Sequence, residues 1–192
     1  TVNLFHGTTL HGYQYYHGTD PQRAAMPVGY HHFDGPLGQV FEVFNNKLNP
    51  DRVAVLGLGA GTVAAYGKPG QRFTFYEIDR AIVDIAENHE WFTYLRDCRA
   101  EVEPIRIGDG RLVLSKEEDG VFGLIILDAF TSDAVPVHLL TKEAIEEVYL
   151  AKLQDDGLIA FNITNRHVAL APVLAAVAGE LDLLAMERLD YY

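Results

Sequence analysis

The sequence predicts an α/β fold built on a mostly parallel sheet, with a small antiparallel hairpin in front of it. Two observations carry this. From Val53 onward, short apolar runs rich in β-branched residues alternate with stretches of helical character, the pattern of strands joined by right-handed crossovers and covered on both faces. The first of these runs, Val53-Ala54-Val55-Leu56, breaks into Gly57-Leu58-Gly59-Ala60-Gly61-Thr62, and the next ends in Tyr76-Glu77-Ile78-Asp79. Glycines at alternate positions after a buried strand permit a tight strand-to-helix turn and a close approach of backbone to a ligand.

Taken in order, Asn3–His6 and Leu10–Tyr15 flank the turn residues Gly7-Thr8-Thr9 and read as a hairpin. Gly18–Pro27, with prolines at 21 and 27, reads as a loop. Val28-Gly29-Tyr30-His31-His32-Phe33-Asp34-Gly35-Pro36 has no periodicity and is either a packed connection or a binding loop laid over a site. Gln39–Asn46 is an amphipathic helix, and Pro50 ends the approach to the first core strand. Strands are expected at 53–57, 72–77, 102–107, 122–128, 157–162 and 181–188, and helices near 61–67, 80–90, 110–116, 140–152 and 166–178. Residues 1–50 therefore form the hairpin and its connecting segment, and residues 51–192 the main ligand-binding domain.

A chain of 192 residues supports one domain with a full core and is too short for two of ordinary size. Its formal net charge of -12 argues against nucleic acid, whose phosphates need a basic footprint, and is compatible with a cationic small molecule. The single cysteine, Cys98, excludes an internal disulfide and a cysteine-based metal site, so no metal is expected and a reducing, cytoplasmic setting is the simpler assumption. No apolar run reaches the length of a membrane span. The chain opens on Thr1 and stops at Tyr191-Tyr192, both in strand-like sequence, so a longer parent protein is expected, and a soluble, cytoplasmic character describes this piece and not necessarily the whole.

In open parallel sheets ligands sit at the carboxyl ends of the strands. Those ends carry Gly57 to Gly61, then Glu77, then Gly108-Asp109-Gly110, then Asp128. Glu77 is suited to accept hydrogen bonds from the two hydroxyls of a ribose. The spacing GxGxG, in place of a third glycine three positions after the second, favours an adenosine bearing a sulfonium over one bearing a pyrophosphate. The alternative is a tight structural turn with no ligand. Asp109 is placed either to reach an adenine amino group, with Gly108 leaving room for the ring, or to cap the helix that follows. Asp128 ends the very apolar Leu124-Ile125-Ile126-Leu127, where a carboxylate serves as a general base toward an amine or as a turn residue.

With those residues in view, the chain resembles the polyamine aminopropyltransferases, the spermidine synthase family. It looks nearest to the divergent bacterial branch whose synthase-like domain is often fused to a transporter-like membrane region. The resemblance rests on the Gly57–Gly61 loop, Tyr76-Glu77-Ile78-Asp79, Ile107-Gly108-Asp109-Gly110-Arg111, and Leu127-Asp128 followed by Leu139-Leu140-Thr141, and runs from Leu4 to about Asn165. It implies the Rossmann-like fold of class I S-adenosylmethionine-dependent methyltransferases. By resemblance, Gly57, Gly59 and Gly61 hold the methionine-derived chain of S-adenosylmethionine or its decarboxylated form. Glu77 and Ile78 meet the ribose side of that co-substrate, Gly108 and Asp109 the adenine, and Asp128 helps deprotonate the attacking amine. Asp133 holds the amine, and Tyr30 and His31 fall near a Tyr-Gln pair that lies over the amine site. The implied partner is a small-molecule amine, and the resemblance leaves room for a homodimer.

Two departures stand against that pattern. Ala60 replaces an acid of the glycine loop that grips the aminopropyl ammonium, and Thr131 and Ser132 replace the second Asp and the Pro of a DxxDP motif that starts at Asp128. A charge-assisted hydrogen bond contributes on the order of 1.5–3 kcal/mol, so losing two costs tens- to thousands-fold in affinity unless other groups compensate. The expected function is aminopropyl transfer to an amine with release of methylthioadenosine. The alternatives are a methyltransferase or other S-adenosylmethionine-consuming enzyme, in which Ala60 makes room for the donor's amino-acid end, and a non-catalytic adenosyl-ligand sensor.

Overall fold

A computed structural model describes residues 1–6, 9–16, 18, 20–47, 51–130, 135–164 and 168–189. The hairpin pairs β1 (Val2–His6) with β2 (Thr9–Gln14), with a bulge at Leu4/Phe5. The segment expected to be a plain loop contains a one-turn helix, α1 (Pro21–Ala24), because Asp20 accepts a hydrogen bond from the Arg23 amide at 3.0 Å and Pro21 supplies a preset first helical residue. A 3-10 turn at Gly29–His31 then leads into α2 (Pro36–Asn45).

The central sheet follows. Strands β3 (Arg52–Leu56), β4 (Arg72–Glu77), β7 (Phe122–Leu127) and β8 (Leu153–Phe161) are all parallel. The expected strand over 102–107 is broken into β5 (Glu101–Val102) and β6 (Arg106–Ile107), both paired to β4, because Pro104 between them has no N–H to give to the ladder. The order across the sheet is β5/β6, β4, β3, β7, β8. Chain order reverses between β3 and β7, so the ends of those two strands form the crevice where ligands lie in this architecture.

Both faces of the sheet are covered, which is why its strands read as continuous apolar runs. Val53, Val55, Phe73, Phe75, Leu124 and Ile126 point to one side, against Phe41 and Phe44 of α2, Val63, Ala64 and Tyr66 of the 3-10 helix Thr62–Tyr66, and Val83 and Ala86 of α3 (Arg80–Ala86). Ala54, Leu56, Ile125 and Leu127 point to the other, against Leu114 of α5 (Gly110–Leu114), with Ala144, Ile145, Val148 and Tyr149 from the helical turn before β8. That turn winds as a π-helix over Ala144–Tyr149 and runs into α6 (Leu150–Lys152). The short helix α4 (Tyr94–Asp97) lies between α3 and β5.

Two expectations at the carboxyl-terminal end are corrected. The last helix, α7, spans Ala171–Glu180, later than expected, and residues 165–167 of the expected helix lie outside the described residues. No strand forms over 181–188: Asp182 takes a left-handed turn at φ 55, and Leu184 and Met186 are 92% and 88% exposed, so nothing buries the apolar face a strand would need. Among the described residues, no helix is long and apolar enough to cross a membrane.

Candidate active site

The carboxyl ends of β3, β4, β6 and β7 carry the glycine loop, Glu77, Gly108-Asp109 and Asp128 respectively. Gly57, Gly59 and Gly61 all adopt left-handed backbone, at φ 100, 52 and 80. Packing explains two of them further: a Cβ at Gly57 would lie 2.4 Å from the Asp128 carbonyl oxygen, and one at Gly59 would lie 2.7 Å from the His11 carbonyl oxygen of the hairpin. The glycines are thus required by how the loop packs on its own chain. Any ligand at the loop meets backbone groups.

Glu77 braces this loop from the neighbouring strand. Its Oε2 accepts from the Leu58 amide at 3.0 Å and its Oε1 from the Asp79 amide at 3.0 Å. An ionised carboxylate has about four acceptor positions, so two remain for other donors. Ile78, the next residue, is 65% exposed, an apolar surface beside the carboxylate. Asp79 itself caps α3 by accepting from the Ala81 amide at 2.8 Å.

Asp128 sits at the centre of a cluster drawn from three parts of the chain. Its Oδ2 lies 2.7 Å from His31 Nε2 and accepts from the Tyr30 hydroxyl at 3.3 Å, and its Oδ1 accepts from Asn162 Nδ2 at 2.8 Å. The Asp128 and His31 side chains are only 10% and 8% exposed. Tyr30 and His31 come from the 3-10 turn, which crosses over the strand ends with the two ring centroids 4.0 Å apart and the planes tilted by 36°. The turn is tied to the core through Tyr66, whose hydroxyl donates to the His31 carbonyl at 2.6 Å while its ring stacks on Phe41 at 4.2 Å. Burial of its hydroxyl end, then the charge of Asp128 and the hydrogen bond to it, push the Tyr30 hydroxyl well above its ordinary value. The segment 28–36 is therefore both a packed connection and a cover over the strand ends.

No family model matches the chain. Over 125 residues it is 31% identical to the polyamine aminopropyltransferase of Vibrio vulnificus, a match that takes in 62% of this chain and 39% of that enzyme. It is 34% identical over 116 residues to an N-terminal histidine N-methyltransferase of Emericella nidulans, across 56% of this chain and 19% of that protein. The crystal structure of a probable spermidine synthase from Corynebacterium glutamicum superposes with a TM-score of 0.54 at 26% identity, covering 69% of this chain and 46% of that one. Over these stretches the chain is similar to the spermidine synthases. It spans less than half the length of each of these relatives, and its fold is that of the class I methyltransferases.

The third strand end differs from the open subsite that the resemblance to spermidine synthases implied. Asp109 caps α5 by accepting from the Leu112 amide at 3.0 Å, and its other oxygen lies 2.7 Å from His138 Nε2. Burial raises the Asp109 carboxyl, but the Leu112 amide, the His138 imidazole and the Arg111 amide outweigh it and hold the group below the usual carboxylate range. Arg111 in turn donates to the His138 carbonyl at 3.1 Å, so the segment after Asp128 is docked onto Asp109. An adenine amino group at Asp109 would share or displace the His138 contact. A Cβ at Gly108 would lie 2.8 Å from Val113 Cγ2, so this glycine too is needed by local packing.

Ala60 does not open space toward a ligand. It is 1% exposed and packs with Leu4 of the hairpin and Phe92. Asp133, together with Thr131, Ser132 and Ala134, lies outside the described residues. Among the described residues no group of three or more His, Cys, Asp or Glu is disposed to hold a metal ion. Two site residues were missed in the sequence. Asn162 follows β8, so the strand-end rule carried one strand further finds it. His138 has no local signal, since only the fold of the segment after β7 brings it to Asp109.

Proposed function

We propose that the chain is the adenosyl-binding part of a transferase that moves an alkyl group from the sulfonium of an S-adenosylmethionine-type co-substrate to an amine. In the aminopropyl version, decarboxylated S-adenosylmethionine is the donor and methylthioadenosine leaves. The observation that carries the reading is the pairing of Glu77 with the Asp128 cluster on either side of the glycine loop. Their strands flank β3, so two strand spacings, roughly 10 Å, separate their axes. That suits a ligand held by its ribose at Glu77 and reacting beside Asp128. Ile78 provides apolar contact to the nucleoside, and Tyr30, His31 and Asp128 form the acceptor end. Asp133 is assigned to the acceptor by resemblance alone.

Methyl transfer on the same scaffold is the second reading, favoured by the N-methyltransferase relative. Calorimetry against S-adenosylmethionine, its decarboxylated form and methylthioadenosine tests the donor site without knowledge of the acceptor. Glu77→Gln is expected to weaken binding about 10- to 100-fold, the scale of one or two charged hydrogen bonds. Glu87→Gln, on the C-terminal cap of α3, is expected to leave affinity unchanged. Equal titration curves for the two variants overturn the ribose assignment. Mass analysis of products then separates the chemistries, because methylthioadenosine reports aminopropyl transfer and S-adenosylhomocysteine reports methyl transfer.

A further inference from the structure

We propose that His31 is the group that takes the proton from the acceptor amine, and that Asp128 and Asn162 are positioning residues that hold its imidazole. This rests on the transfer reading above and departs from the expectation that Asp128 is itself the base. The reason is hydrogen-bond accounting. Asp128 accepts from Asn162 at one oxygen and from His31 and Tyr30 at the other, and its side chain is 10% exposed. Three of its about four acceptor positions are thus taken by the protein, on both oxygens, with His31 the closest partner of Oδ2.

Asn162 is fixed in its turn. Its Oδ1 accepts from the Thr164 amide at 3.1 Å, so the amide nitrogen is the end that faces Asp128, a donor for which an ionised carboxylate is the stronger acceptor. With Asp128 ionised, the 2.7 Å contact assigns the proton of a neutral His31 ring to Nε2. The lone pair is then on Nδ1, which has no hydrogen-bond partner among the described residues. The ring packs against Tyr30 with centroids 4.0 Å apart, and the backbone that carries it is fixed by the Tyr66 hydroxyl on its carbonyl at 2.6 Å and by its own amide donating to the Val28 carbonyl at 3.2 Å. Among the described residues, Asp128, Tyr30 and Tyr66 are the titratable residues that hydrogen-bond to it or meet its ring.

The step balances as follows. The acceptor arrives as an ammonium ion and gives one proton to Nδ1 of His31, which becomes an imidazolium paired with the Asp128 carboxylate. The freed lone pair attacks the carbon bonded to the sulfonium. The C–N bond forms as the C–S bond breaks, and the electron pair of that bond leaves with sulfur as a neutral thioether. Asp128 supplies orientation and a compensating charge, and no net charge is stranded in a site that is nine-tenths buried.

Nitrogen-15 NMR of the whole chain, with labelled histidine, reads the tautomer directly and needs no substrate. At pH 8 His31 is expected to be neutral with its proton on Nε2, and Asp128→Asn is expected to erase that preference. A doubly protonated His31 at pH 8, or a proton on Nδ1, overturns the proposal. In turnover assays, His31→Gln is expected to cut kcat by roughly two to four orders of magnitude, remove the acidic limb of the pH–rate profile, and leave affinity for the adenosyl co-substrate unchanged. Asp128→Asn is expected to keep an acidic limb at reduced kcat. If instead His31→Gln keeps kcat and the limb while Asp128→Asn loses the limb, Asp128 is the base. Absence of adenosyl-ligand binding by the unaltered chain sinks the transfer reading, and the NMR result still decides the arrangement of the pair.

Discussion

Ala60→Asp restores the acid that the spermidine synthase pattern carries in the glycine loop, and by resemblance it is expected to improve binding of a cationic donor. The structure leads to the opposite expectation. Ala60 is 1% exposed, packs with Leu4 and Phe92 inside a shell of Val2, Ile82 and Ile85, and lies so close to the hairpin that a Cβ at Gly12 would be 2.8 Å from its own. A carboxyl group placed there stays neutral to avoid a buried, unpaired charge. Holding an aspartate neutral costs about 1.4 kcal/mol for each pH unit above its unfolded value near 3.9, or about 1.5 kcal/mol at pH 5 and about 4 kcal/mol at pH 7. The sign follows from a folded-state value raised above the unfolded one: the loss is absent at low pH and grows as pH rises. At about 2–4 °C per kcal/mol for a domain of this size, the Tm at pH 7 falls by roughly 8–16 °C. Thermal unfolding followed by circular dichroism at pH 5 and pH 7, with calorimetric titration of decarboxylated S-adenosylmethionine, measures both sides. An unchanged Tm with tighter ligand binding refutes the packing of the hairpin on the loop.

Two further predictions concern the loop and the third strand end. Gly59→Ala places a Cβ 2.7 Å from the His11 carbonyl on backbone at φ 52, and the left-handed conformation alone costs roughly 1–2 kcal/mol. The expected result is a lowered Tm in the absence of any ligand, and an unchanged Tm with lost binding would show that the position faces the ligand after all. His138→Ala removes the imidazole that helps hold the Asp109 carboxyl below its usual range. A depressed carboxylate stabilises the fold above its unfolded value, near 3.9, and that contribution is lost as pH falls through the folded value. The variant is therefore expected to be less stable than the parent at pH 7 and equal to it in strong acid. A Tm difference that persists unchanged into strong acid refutes the ion-pair account.

The sequence by itself determined the sheet, the crevice and the carboxylates at its edge. Strand runs such as Phe122–Leu127, apolar on both faces, have no stable place except a parallel sheet covered on both sides, and strand ends then fall where glycines and acids already stand in the chain. Glu77 and Asp128 were legible for that reason. The tertiary structure alone decided what surrounds them. Whether Ala60 faces a ligand or a hairpin depends on the hairpin, whose residues Leu4, His11 and Gly12 are far from it in the chain. Likewise the Asp128 carboxylate is open or held according to whether His31 and Asn162 arrive on its two oxygens, and the contacts that bring them there span 97 and 34 residues. Local sequence encodes periodicity and turn chemistry, while side chains meeting across such separations are selected only by the packing of whole elements, here by Tyr66 and Phe41 locking the Gly29–His31 turn over the strand ends. The absent strand at 181–188 has the same origin: its residues carry the right pattern, but a strand exists only where a neighbour takes up its hydrogen bonds and buries its face.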